Sequence, residues 1–96
     1  MNDNNLFSLG EIFGHLLKQY GLNDKMIEQK IENAWANIVG DYCNKCTSKI
    51  IYKNKNLFVY IGNAAVKQEL NFVKTKIINE LNETLGDNFV SNIKFR

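Results

Sequence analysis

The stretch Asn56-Leu-Phe-Val-Tyr-Ile-Gly-Asn63 decides the fold. From Asn56 to Ile61 the residues alternate: Leu57, Val59 and Ile61 point to one side, Phe58 and Tyr60 to the other. That is the pattern of a half-buried strand. Gly62-Asn63 breaks it, and an asparagine ahead of a helical pattern caps the helix by accepting from a free backbone N–H. Beyond it, Val66, Leu70, Val73, Ile77, Leu81 and Leu85 recur at steps of three and four. Gly86 fits the left-handed residue that ends a helix. The spacing predicts a strand feeding one continuous amphipathic helix that ends at Gly86.

Working upstream, Thr47 to Lys53 reads as the partner strand, joined through a two-residue turn at Asn54-Lys55. The turn lacks the favoured glycine, but asparagine tolerates positive φ. Ile50 and Tyr52 then face the core with Leu57, Val59 and Ile61, and Lys49, Ile51 and Lys53 share the outer face with Phe58 and Tyr60. Downstream, Asn88 to Arg96 reads as a third strand, with Phe89, Ser91, Ile93 and Phe95 alternating with Val90, Asn92, Lys94 and Arg96. Two helices precede the hairpin. The first opens at Ser8, where Ser8 and Glu11 fit a capping box; its stripe is Leu9, Ile12, Phe13, Leu16 and Tyr20, and Gly21 stops it. The second starts at Asn23 or Asp24 and runs to Val39, with Ile27, Ile31, Ala34, Trp35 and Ile38 as its stripe. Trp35, the only tryptophan, is a core anchor whose indole N–H requires one partner. Residues 41–46 stay open between a loop and one more helical turn.

The order is α-α-β-β-α-β, an α+β domain with helices on one face of a three-stranded sheet. Placing the last strand beside the first makes that sheet wholly antiparallel. Residues 1–7 read as a flexible N-terminus and residues 8–96 as a single domain.

At 96 residues and 45% hydrophobic content the chain suits one folded core. No apolar run approaches the ~20 residues that span a bilayer. The start, Met-Asn-Asp-Asn-Asn, has neither a basic nor an apolar signal region, so a cytoplasmic protein with reduced cysteines is expected. Charge is unevenly placed: residues 1–40 carry −2 and residues 41–96 carry +4. A basic C-terminal half points to an anionic partner such as nucleic acid.

Cys43-Asn-Lys-Cys46 is the one motif-like spacing. A zinc site needs about four ligands, and the chain offers no second CxxC and only His15 as imidazole. A thioredoxin-like pair follows a strand of a βαβ unit, whereas this one precedes a hairpin. The cysteines therefore read as structural, with a dimer sharing two such pairs as the remaining metal option. No phosphate loop and no Ser-His-Asp or Cys-His arrangement is present, and Glu28, Glu32, Glu80 and Glu83 read as solvated helix surface. Nothing argues for catalysis, a cofactor or a small-molecule substrate. The outer sheet face is the candidate site. There Phe58 and Tyr60 lie with Ile51 among Lys49, Lys53, Lys94 and Arg96, joined by Lys55 at the hairpin tip. Aromatics ringed by cations stack bases and hold phosphates. The same patch also suits a protein partner.

Several segments then fall into one order: Trp35-Ala-Asn-Ile-Val-Gly40, Thr47 opening the hairpin, Gln68-Glu69-Leu70, Leu81-Asn82, Gly86 and the closing Ile93-Lys94-Phe95-Arg96. Together they resemble the DciA-like family over nearly the whole chain. The resemblance implies a KH-like domain and a role in bacterial DNA replication, helping to load the replicative helicase. The expected function is a non-enzymatic adaptor contacting helicase and single-stranded DNA. The alternative is a protein-interaction module without nucleic-acid binding. An RNA-binding KH-like protein is the weaker reading, because no Gly-x-x-Gly loop is present. The resemblance also suggests Gln68 and Glu69 as partner-binding residues, although an acid early in a helix is favoured by the helix dipole alone.

Overall fold

Ile27, Ile31 and Trp35 stand one turn apart, and the helix they predict forms as α1, Asp24–Val39, with all three buried. The computed structural model describes Glu11, Ile12, His15 and residues 24–96. The helix expected from Ser8 to Tyr20 and the tail at 1–7 otherwise lie outside the described residues; Glu11, Ile12 and His15 are helical and exposed. After Gly40, at φ 92°, the open segment resolves as a short helix, α2, Asp41–Lys45. The hairpin follows as β1, Thr47–Lys53, and β2, Asn56–Ile61. Asn54 and Lys55 both adopt positive φ, 51° and 70°, the signature of a type I′ turn. The long apolar stripe divides into α3, Ala64–Phe72, and α4, Lys74–Leu85. The chain closes on β3, Asn92–Phe95.

Two expectations about the long helix hold. Asn63 Oδ1 accepts from Val66 N at 3.1 Å, and Gly86 ends α4 at φ 86°. Its continuity does not. Val73 sits between the halves at φ −108°, ψ 20°, and is 45% exposed rather than on the buried stripe. The break has a packing cause. α3 lies against β2 and β3, whereas α4 lies mainly against α1, and one straight rod does not serve both.

The sheet also differs from the antiparallel arrangement expected. β2 is central, antiparallel to β1 and parallel to β3, so the sheet is mixed. Polar side chains of α1 supply the reason. Glu28 Oε2 accepts from Tyr52 N at 2.9 Å, and Asp24 Oδ2 accepts from Asn54 N at 3.0 Å. These carboxylates occupy the outer edge of β1, leaving β2 as the strand with a free side. Glu28, read from sequence as solvated, is buried at 7% exposure. Lys25 Nζ donates to its other oxygen at 2.8 Å.

The third strand is shorter than Asn88–Arg96 because Asn82 holds its approach. The Asn82 amide accepts from Val90 N at 2.8 Å and donates to Val90 O at 2.9 Å, as a neighbouring strand would. Val90 is thereby turned inward and buried. Tyr52 donates its hydroxyl to Phe89 O, and Ser91 N donates to Lys55 O at 2.8 Å.

One core joins helices and sheet, with Trp35, Ile31, Leu57, Val59, Leu81, Leu85 and Ile93 fully buried. The inward residues of the strands are those expected: Ile50, Tyr52, Leu57, Val59, Ile61 and Ile93. Trp35 Nε1 donates to Thr47 Oγ1 at 3.0 Å, which donates to Cys43 O at 2.8 Å.

Two stability predictions come from these polar anchors. Burial by itself raises the Glu28 carboxyl, but the hydrogen bonds from Lys25 and Tyr52 N and the charges of Lys25 and Lys49 hold it below the usual range. A depressed folded pKa contributes stability above the unfolded value, about 4.3, that is lost as pH falls through the folded value. Denaturant melts should therefore show an acid limb below that pH. Glu28→Gln should flatten the limb and cost about 1–2 kcal/mol at neutral pH. At the turn, Lys55 holds a conformation that glycine adopts without strain. Lys55→Gly should stabilise by about 0.5–1 kcal/mol, read as a rise in Tm.

Candidate nucleic-acid interface

Register gathers the sequence-derived site on the sheet face away from the helices. Tyr60 stands opposite Lys49, and Phe58 lies between Ile51 on β1 and Lys94 on β3. Lys53 faces Asn56 at the turn end. Lys49, Lys53, Lys94 and Arg96 are exposed, while Ile51, Phe58 and Tyr60 are half-buried. Lys55 is exposed at the hairpin tip, its ammonium 3.4 Å from Asn88 O. The parallel pairing of β3 with β2 is what brings Lys94 and Arg96 to these aromatics; a β3 beside β1 places them one strand away.

The rings carry cations of their own. The Arg96 guanidinium lies 4.9 Å from the Phe58 ring centroid, and the Lys49 ammonium 5.7 Å from that of Tyr60. Each such contact is worth roughly 0.5–1 kcal/mol at an exposed site. A base stacked on an aromatic ring gains about 1–3 kcal/mol. On these magnitudes, a base stacked on either ring would outweigh the cation contact it replaced. Chemically, the face is a stacking platform with a charged fringe.

Gln68 and Glu69 do not join this patch. Both are exposed on α3, in the helical layer, and the first turn of α3 contains no acid, so the helix dipole does not account for Glu69. Glu69 instead lines a cleft of about 420 Å³ at the α3–α4 break. Ile38 and Val39 of α1, Leu70 of α3 and Ile77 of α4 form its apolar walls, with Lys76 and Glu80 adding charge. Phe72 and Val73 stand at it, 80% and 45% exposed. The sequence reading missed this cleft. Val73 matches the buried stripe in spacing, and Phe72, one position off that stripe, was the only signal.

Cys43 and Cys46 are free, half-buried thiols packed against the core. Burial pushes the Cys43 thiol up, and the nearby Cys46 and Glu69 add to the effect, the opposite of activation. No group of three metal-ligating side chains occurs among the described residues. Nor is any helix among them long and apolar enough to cross a membrane.

A family model described as "Dna[CI] antecedent, DciA" matches residues 8–95. No curated protein and no solved structure matches the chain.

Proposed function

We propose that this chain, which belongs to the DciA family, is a non-enzymatic adaptor of DNA replication that contacts the replicative helicase and single-stranded DNA. Family membership supports the replication role and the helicase as partner. The sheet face supports the DNA contact. Phe58 and Tyr60 lie among Lys49, Lys53, Lys94 and Arg96, the combination that binds single strands with little base preference. Residues 8–96 act as one KH-like domain in this reading, and the setting is the bacterial cytoplasm. Lys55 extends the cationic fringe at the hairpin tip.

A second reading is a protein-interaction module without nucleic-acid binding. The observation behind it is that both rings already carry a cation. Salt separates the two, because neutralising phosphates releases counterions. On single-stranded DNA, four or five phosphate contacts give a log–log salt slope of about −3, at roughly 0.7 per contact. Lys53→Ala with Lys94→Ala should flatten the slope to about −1.5. Phe58→Ala with Tyr60→Ala should weaken binding and leave the slope nearly unchanged. Normal binding by both sheet variants, with loss in Lys67→Ala plus Lys74→Ala, moves the DNA face to the helices. No binding to any strand at low salt leaves the protein-interaction reading.

A further inference from the structure

We infer that the outer sheet face takes two consecutive nucleotides of a single strand, unstacked from each other, with one base on Phe58 and the next on Tyr60. The inference rests on the DNA reading above and sets its register. Charge, row order and spacing carry it.

Strand pairing lines the outward side chains up in three rows across the sheet. At the turn end stand Lys53, Asn56 and Asn92. Ile51, Phe58 and Lys94 form the middle row. Lys49 and Tyr60 begin the last row, and Arg96 completes it, because Arg96 N donates to Val59 O and Ile61 N donates to Arg96 O, both at 2.8 Å. None of these positions is acidic, so the field over the face has one sign and suits a polyanion. Each ring has at least one cation in its own row, which places a charge within reach of the phosphate of a base stacked there. The platform is bounded at both ends. In the first row Asn56 stands where a third ring would, its amide donating to Asn54 O at 3.2 Å. Gly62, two residues beyond Tyr60, has no side chain to offer. Two bases therefore fill the face.

Spacing decides the state of those bases. Residues i and i+2 of a strand lie about 6.6 Å apart, whereas stacked nucleotides rise about 3.4 Å each. Neighbouring bases of a stack are thus half as far apart as the two rings, and a strand must extend to use both. A duplex, whose base faces are covered by their neighbours, does not reach them. Val59, between the rings in sequence, is fully buried in the core, so it offers no support on this face to a base held between them.

The test measures binding of the whole chain, by fluorescence anisotropy, to two labelled DNA dodecamers of equal composition and charge. Both carry six thymines and six abasic sites. In one the thymines come in adjacent pairs separated by two abasic sites; in the other every second nucleotide is abasic. The paired dodecamer should bind roughly tenfold tighter, the worth of one stacked base, with the same salt slope for both. Phe58→Leu and Tyr60→Leu keep an apolar side chain at each half-buried position and leave one ring, so each variant should bind the two dodecamers alike. Tighter binding of the alternating dodecamer overturns the consecutive register and places every second base on a ring. Equal binding of the two by the wild type overturns a base on each ring and leaves the DNA contact standing on phosphates. A preference for pairs that survives in both leucine variants assigns it to other groups and overturns the inference. Failure to bind an all-thymine dodecamer at low salt overturns the DNA reading, and the inference with it.

Discussion

The indole N–H of Trp35 is the constraint from which the architecture follows. It sits on a fully buried side chain, where an unmatched donor costs about 1–3 kcal/mol. Its partner is the Thr47 hydroxyl, which in turn donates a hydrogen bond to the Cys43 carbonyl. Three elements meet in that relay: the last turns of α1, the short α2 and the first residue of β1. The pairing register of β1 is irregular between Thr47 and Lys49, where the strand must turn the threonine toward the indole. From that start the hairpin leads away with its inward face toward α1. Gly62 N donates to Cys46 O at 3.0 Å, so the end of β2 is tied back to the same junction.

The two surfaces differ in how their charge is held. On the sheet, one lysine and one arginine, Lys49 and Arg96, rest on aromatic rings, which orders those two cations. At the helix break, the charges flank a gap. One surface is a flat face carrying aromatics and cations, the other a concavity beside the exposed Phe72. A small core with inward-facing strands and a helical layer supports both without enlarging the chain.

Periodicity revealed whatever depends on apolar spacing. The strands of the hairpin, the buried faces of α1 and of both halves of the long stripe, the Asn63 cap, the positive φ at Asn54 and the end at Gly86 were all legible. What escaped were polar side chains acting as backbone. Glu28 and Asp24 finish the edge of β1, and Asn82 stands in for a strand beside Val90; at the level of sequence all three resemble solvated surface. Missing them led to the wrong neighbour for β3 and too long a strand. The helix break was hidden for the converse reason, since Val73 has the right spacing and the wrong partners. The sheet-face residues were identified through alternation alone, but the cations seated on the rings depend on rotamers that no spacing reports.

The carboxylates along β1 have a consequence for assembly. A sheet normally has two open margins, and a protein with two open margins polymerises without limit once pairing begins. Here a strand adding at β1 must first evict Asp24 and Glu28 from the Asn54 and Tyr52 amides. β3 is the other margin and carries no further strand among the described residues. Strand addition is thereby restricted to the β3 margin among the described residues.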